Sequence, residues 1–314
     1  MLNIVFVDAD TLGERGELDF FEKLGKVTKY PHLWEHEVSD KVVDADVIVS
    51  NKVPMNEKTL HLAKNLKLIC VAATGINNLD LDYLNQRGIA WRNVAGYSTH
   101  SVAQNTLAQV LYLEQALPFY DRYVKDGDYA KSPIFTKFGA PYHELAGRTW
   151  GIIGMGAIGQ AVAKLAEAFG CQVIYFSTSG KNTDQPYEQV SFDELLERSD
   201  YVTVHAPLND QTMGLMNREA FKKMKKDAIF VSVGRGRIVV EEDLAEALQQ
   251  GEIKAAGLDV LCVEPIREDN PLLQIKDSTK LLITPHIAWA SVEARYRLLH
   301  TIYGQIQEFF GIGE

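Results

Sequence analysis

Groups that would serve a metal or a disulfide framework are scarce in this chain. Only three cysteines occur in 314 residues. Cys70, Cys171 and Cys262 stand far apart, each in or beside an apolar run, with no histidine or cysteine at ligand spacing. They read as buried, reduced thiols, and no metal is expected. Long hydrophobic runs are missing too. The uncharged stretch Trp150 to Ala163 is too short to cross a bilayer, and the start, Met1-Leu-Asn-Ile-Val-Phe-Val-Asp8, has no basic leader region, so the expectation is a cytoplasmic protein without a membrane partner. No basic or acidic run stands out either. With 32 Lys+Arg against 42 Asp+Glu, a net charge of -10 disfavours a surface that tracks phosphates, and nucleic acid is not an expected partner.

What the chain does have is alternation of short apolar, β-rich runs with segments of helical period, the pattern of parallel sheets covered by helices. Strands are predicted at Asn3 to Asp8, Ala45 to Ser50, Leu66 to Ala72 and Ile89 to Val94. Helices fall between them at Asp19 to Gly25, Asn56 to Lys64 and Asp80 to Gly88. A second series begins afresh, with strands at Arg148 to Ile153, Gln172 to Ser177, Tyr201 to Ala206, Ala228 to Val233, Ile253 to Asp259 and Lys280 to Thr284, and helices that include Ala157 to Gly170 and Glu241 to Gly251. The fold class is therefore α/β with two doubly wound parallel sheets. A chain of 314 residues suits two domains, with a cleft as the default place for chemistry. His100 to Tyr123 reads as one long helix joining the units. Asp126 to His143, with glycine, proline and aromatics but no clear period, reads as a projecting arm. A last helix, Val292 to Phe310, follows the second sheet and returns to the first unit. That gives a discontinuous domain of residues 1–98 plus 290–314 around a second of 99–289.

Trp150-Gly-Ile-Ile-Gly-Met-Gly-Ala-Ile-Gly159 carries the cofactor argument. A strand runs into Gly154-x-Gly156-x-x-Gly159 and then into an amphipathic helix. Gly154 permits the tight turn, Gly156 lets backbone approach a pyrophosphate, and Gly159 allows helix and strand to pack closely. The next strand ends where a carboxylate usually holds the adenosine ribose, yet the chain has Ser177-Thr-Ser-Gly-Lys181. Without the acid, a 2′-phosphate is not repelled, and hydroxyls and a lysine can receive one, so both NAD and NADP stay open.

Downstream, Arg235, Glu264 and His286 sit in the contexts Val233-Gly-Arg-Gly236, Val263-Glu-Pro265 and Thr284-Pro-His-Ile-Ala-Trp289. Taken with Ala73-Thr-Gly-Ile-Asn-Asn78, Asn93-Val-Ala-Gly-Tyr-Ser-Thr99, Ser101-Val-Ala-Gln104, His205-Ala-Pro-Leu208 with Thr212, and Gly257-Leu-Asp-Val260, the chain resembles the D-isomer-specific 2-hydroxyacid dehydrogenases over nearly its whole length. The likeness is greatest to their glycerate dehydrogenase (hydroxypyruvate reductase) branch. Ser177 in place of an acid, and Gln104 where an acid is frequent, depart from the family pattern.

The resemblance implies a Rossmann cofactor domain inserted in a flavodoxin-like substrate domain, and hydride transfer between NAD or NADP and a small 2-oxo/2-hydroxy acid. D-glycerate/hydroxypyruvate is expected first, with glyoxylate beside it. It gives His286 as the proton donor and acceptor, Glu264 as the carboxylate on the other ring nitrogen, and Arg235 as the fork that binds the substrate carboxylate and polarises its 2-oxo group. Taken singly, these residues also read as a packed loop histidine, an exposed loop acid and a turn salt bridge. Ala73, Thr74 and Gly75 are expected to meet the substrate through backbone. Lys52 either faces the substrate or is solvated, and Trp289 either narrows the pocket or packs in the core. The cofactor is expected at Thr74, Gly154, Gly156, Ala157, Ile158, Gly159, Ser177, Thr178, His205, Ala206, Pro207, Thr212, Val233, Gly234, Arg235, Asp259, His286 and Ala288, with Asp259 also readable as a turn cap. No basic cluster near Ala73 to Asn78 suits a phosphorylated substrate. Formate dehydrogenases usually pair the histidine with glutamine, and Glu264 argues against one. The non-enzymatic alternative is a dinucleotide-sensing corepressor scaffold. Relatives are mostly homodimers joined through their cofactor domains, and the same is expected here.

Overall fold

The computed structural model describes residues 1–312. The chain divides into two compact units, one made of Met1–Ser98 with the segment from Ala290 onward, the other of Thr99–Trp289. Every strand pair in both is parallel.

In the first unit, β1 (Leu2–Phe6), β2 (Gly25–Lys29), β3 (Val47–Ser50), β4 (Leu68–Val71) and β5 (Ala90–Asn93) form one sheet in the order β2-β1-β3-β4-β5. The inner strands β3 and β4 are buried at every position, which explains their unbroken apolar sequences. β2 escapes sequence reading because Gly-Lys-Val-Thr-Lys is half-exposed at a sheet edge, where lysines discourage further strand pairing. The helix expected at Asp19 to Gly25 is instead part of a run of 3-10 turns, Arg15–Lys23. The last helix, Val292–Phe310, is capped at its start by Ser291, whose Oγ accepts from Ala294 N at 3.2 Å. It buries Ala294, Leu298, Leu299, Ile302 and Ile306 along one stripe. Arg297 Nε donates to Tyr97 O at 2.9 Å and Gln305 Nε2 to Asn93 O at 2.8 Å, which ties the helix to the end of β5.

Asp8 lies just beyond β1 with no exposed surface. Its carboxylate accepts the amides of Asn51 at 3.0 Å, Lys52 at 2.7 Å and Val53 at 3.3 Å. Burial raises its pKa above the ordinary carboxylate value, and the three amides oppose that shift. The loop after β3 is thereby fixed to the end of β1, where strand order reverses in this sheet.

The second unit contains β6 (Thr149–Ile153), β7 (Gln172–Phe176), β8 (Glu188–Gln189), β9 (Tyr201–Val204), β10 (Ile229–Ser232), β11 (Ala255–Leu258) and β12 (Leu281–Ile283). Their order is β12-β11-β10-β9-β6-β7-β8, so the chain reverses direction across the sheet between β6 and β9. In doubly wound sheets, ligands bind beyond the carboxyl ends of the strands at such a reversal. The long helix expected from His100 to Tyr123 is two helices, Thr99–Glu114 and Leu117–Lys125. Pro118 cannot donate to the preceding turn, and Ala116 takes a left-handed φ of 48° at the break. Beyond the second helix, Ile134, Phe135, Phe138 and Tyr142 stand exposed.

Replacing Asp8 with alanine should strand three buried amides. Chemical denaturation is expected to show a loss of about 2–4 kcal/mol, and an unchanged midpoint and slope would refute the anchoring role.

Candidate active site

All the functional loops of the second unit leave the same edge of its sheet, and sheet order sets their sequence in space. From one side to the other they follow β7 (Ser177 to Lys181), β6 (Gly154 to Gly159), β9 (His205 to Pro207), β10 (Val233 to Arg235), β11 (Asp259 to Glu264) and β12 (Thr284 to Ala288). Adjacent strands lie about 4.8 Å apart.

The glycine turn fits a dinucleotide phosphate. Gly154 has φ 95°, and a Cβ there would lie 2.8 Å from Ala206 N. A Cβ on Gly159 would meet Gly154 O at 2.2 Å, so the helix Ala157–Ala168 can start against the strand only with glycine at that position. Gly156 faces open space and caps the helix without a side chain. Its first-turn amides, including those of Ala157 and Ile158, have no partner within the helix and point to where an anion would sit.

At the end of β7, Ser177 Oγ donates to Lys181 O at 2.6 Å and Lys181 N to Ser179 Oγ at 3.2 Å. The turn so formed holds Thr178 and includes no carboxylate before Asp184. Thr212 is fully buried, and its hydroxyl donates to Pro207 O at 2.7 Å, so its side chain shapes the loop after β9.

The three residues picked out for chemistry follow three neighbouring strands. In register, Ser232 of β10 pairs with Leu258 of β11, and Leu258 with Ile283 of β12. Arg235 and His286 each come three residues after the end of their strand. His286 Nδ1 lies 2.7 Å from Glu264 Oε2, while Glu264 Oε1 accepts from Leu261 N at 2.9 Å. The contact to Glu264 uses Nδ1 and not Nε2. Arg235 is half-buried, donates from a terminal nitrogen to Gly234 O at 2.9 Å, and enters no ion pair among the described residues. A Cβ on Gly236 would fall 1.9 Å from the Leu261 carbonyl carbon, so this glycine lets the Arg235 loop lie against the loop that carries Glu264.

His286 takes φ 54°, a left-handed value uncommon outside glycine. Asp259, buried at the end of β11, holds this conformation in place. Its carboxylate accepts Thr284 Oγ1 at 2.6 Å, Ile287 N at 2.9 Å and Ala288 N at 2.9 Å. Both oxygens are thus engaged by the histidine's own loop. Burial raises the pKa of Asp259, against these hydrogen bonds and the nearby His286. Ser101 Oγ, in the helix Thr99–Glu114, donates to Ala288 O at 2.6 Å and backs the same loop. Trp289 is half-buried against the second unit's core.

In the first unit, the turn Ala73–Thr74–Gly75 follows β4. Thr74 Oγ1 donates to Val94 O at 3.1 Å, Val94 N to Ala73 O at 3.1 Å, and Asn93 Nδ2 to Thr74 O at 2.7 Å. The amides of Thr74 and Gly75 make no hydrogen bond among the described residues. Asn78 Nδ2 reaches Val53 O at 3.1 Å and links this turn to the Lys52 loop.

Residues 107–288 match the family model for the D-isomer-specific 2-hydroxyacid dehydrogenase NAD-binding domain. A hydroxypyruvate reductase of Blautia hydrogenotrophica is 37% identical over 98% of this chain and 97% of its own. The chain belongs to the D-isomer-specific 2-hydroxyacid dehydrogenase family. A glycerate dehydrogenase of Methylorubrum extorquens is 34% identical over 98% of this chain and 95% of that one. Among solved structures, a D-lactate dehydrogenase of Aquifex aeolicus complexed with NAD and lactic acid superposes with a TM-score of 0.84 at 26% identity, over 98% of this chain and 96% of that one. This protein is accordingly an NAD(P)-dependent D-2-hydroxyacid oxidoreductase.

Two carboxylates of this dehydrogenase had no recognised role in the sequence. Asp8 ends an apolar run and Glu241 opens a helix, both common places for an acid, and only tertiary contacts distinguish them. His205 differs from His286 in kind. Both of its ring nitrogens are buried without a hydrogen-bond partner among the described residues, and burial pushes its pKa down to about 3. It stays neutral in the fold but takes a proton when unfolded below its ordinary value of 6.5. Stability is therefore full above that value and declines as pH falls toward 3, by up to about 1.4 kcal/mol per unit. His205→Asn should flatten the fall of the thermal midpoint in acid, and equal slopes in wild type and variant would exclude this source of acid sensitivity.

Proposed function

We propose that this dehydrogenase interconverts hydroxypyruvate and D-glycerate, and also reduces glyoxylate, with NADP admitted alongside NAD. The contact between His286 Nδ1 and Glu264 Oε2 at 2.7 Å carries the reading. A carboxylate on Nδ1 fixes the ring's orientation, and Nε2 then gives a proton to the 2-oxo oxygen in reduction and recovers it in oxidation. Arg235 holds the substrate carboxylate and polarises the 2-oxo group, a task for a planar fork. The nicotinamide, when bound, supplies or takes hydride at C2.

The names of the Blautia and Methylorubrum relatives support a small substrate side chain. The turn Ser177 to Lys181 supports acceptance of a 2′-phosphate, with three hydroxyls, a lysine and no carboxylate. Exposed Ile134, Phe135 and Phe138 support a homodimer formed through the second unit. The three free cysteines suit the cytoplasm, where thiols stay reduced.

The direct experiment is oxidation of reduced nicotinamide with hydroxypyruvate, glyoxylate, pyruvate and a phosphorylated analogue. Fastest turnover is expected on hydroxypyruvate, and cofactor binding without turnover on any of them would reject the assignment. Glu264→Gln should move the alkaline limb of reduction to lower pH, since the charged ring loses its counter-charge. An unmoved limb removes Glu264 from this role. Ser177→Asp should cut kcat/KM with NADPH relative to NADH by about tenfold, ~1.4 kcal/mol, and an unaltered ratio would show that the turn does not read the 2′ position.

A further inference from the structure

Helix Glu241–Gln250 begins with three acids, Glu241, Glu242 and Asp243, any of which would favour the helix N-terminus electrostatically. Glu242 is exposed, as such a residue ordinarily is, and Asp243 pairs with Arg218. Glu241 is buried, with only 7% of its surface exposed. Burying a carboxylate is costly unless hydrogen bonds replace its water, so a favourable helix end does not account for it. One oxygen accepts Cys262 N at 2.6 Å and the other accepts Asn270 Nδ2 at 2.7 Å. The two donors bracket the loop that carries Glu264.

This loop is secured at two more points. The Cys262 thiol donates to Val239 O at 3.5 Å, and Gly236 packs its backbone on Leu261 and Cys262. Burial first, and then Glu241 and Glu242, push the Cys262 thiol up to about 12, so it remains a neutral donor. From Leu261 the path is short, because Leu261 N donates to Glu264 Oε1 and Glu264 Oε2 meets His286. Charged groups near the loop include Glu241, Glu242 and Arg237 by Cys262, and Asp259 by His286.

We propose that Glu241 is a positioning residue for the reaction, its buried carboxylate holding the Leu261–Pro265 loop so that Glu264 stands at hydrogen-bonding distance from His286. This rests on the reading of Glu264 given above. Because Arg235 and Glu241 flank a single 3-10 turn, Gly236–Ile238, the same anchor fixes the spacing between the Arg235 and Glu264 loops.

Glu241→Ala, Glu241→Gln, Glu264→Gln and the double variant Glu241→Ala/Glu264→Gln separate this from a role in stability alone. The measurements are kcat and KM for hydroxypyruvate across pH, the thermal midpoint, and NADH affinity by fluorescence. Glu241→Ala should lower kcat by about 10- to 100-fold, leave NADH affinity nearly unchanged, and move the alkaline limb in the same direction as Glu264→Gln. The double variant should be no slower than Glu264→Gln alone. Glu241→Gln, which keeps an acceptor for Cys262 N, should fall between wild type and Glu241→Ala, and it carries the same readouts if the alanine variant does not fold. A lowered midpoint with wild-type pH profile and kcat, or losses that multiply in the double variant, would overturn the proposal. A moved limb in Glu264→Gln without one in the Glu241 variants defeats this proposal alone. An unmoved limb in Glu264→Gln defeats the reading of Glu264 and this inference with it.

Discussion

Asp259 holds the backbone of the His286 loop, and the position of that histidine depends on this contact. A histidine at φ 54° is in a conformation that costs about 1–3 kcal/mol and persists only where its surroundings impose it. Two backbone amides and a threonine hydroxyl, all from the histidine's own loop, end on one buried carboxylate. Such charge-assisted hydrogen bonds are short and directional in a low-dielectric setting, so they can specify a loop that packing alone would leave free.

The same device recurs. Asp8 gathers three amides of the Lys52 loop, and Glu241 fastens the Glu264 loop through Cys262 and Asn270. Each acid sits at a strand end or helix start, where free backbone amides are plentiful. A doubly wound sheet sends its functional loops from the carboxyl edge, where regular pairing stops. Buried carboxylates take the place of the missing ladder there. This also separates the structural acids from Glu264, which is more exposed and lies against an imidazole.

The histidines divide along similar lines. His205 is neutral because its ring nitrogens are enclosed with nothing to stabilise a charge. His286 keeps partial access to solvent and has a carboxylate on one nitrogen. Similar side chains a few strands apart thus have different electrostatic surroundings, one enclosed and one beside a carboxylate.

Apolar runs bounded by turn residues were enough to place the inner strands, because strands buried on both faces must be apolar throughout. The glycine fingerprint was legible for a related reason, since only glycine tolerates the approaches at residues 154 and 159. Edge strand β2 and the break at Ala116 were not. A half-exposed strand lacks a compositional signature, and the helical period on both sides of Pro118 concealed the interruption. Motif context singled out Arg235, Glu264 and His286, and folding brings Glu264 to His286. Their arrangement came from the pairing of β10, β11 and β12, and the left-handed His286 and the duties of Asp8, Glu241 and Asp259 came from contacts far apart in sequence. Sequence by itself determined the sheet class, because burial and backbone sterics act on neighbouring residues. Tertiary structure alone decided which acids hold loops, because a buried carboxylate's role is set by the donors that folding brings to it.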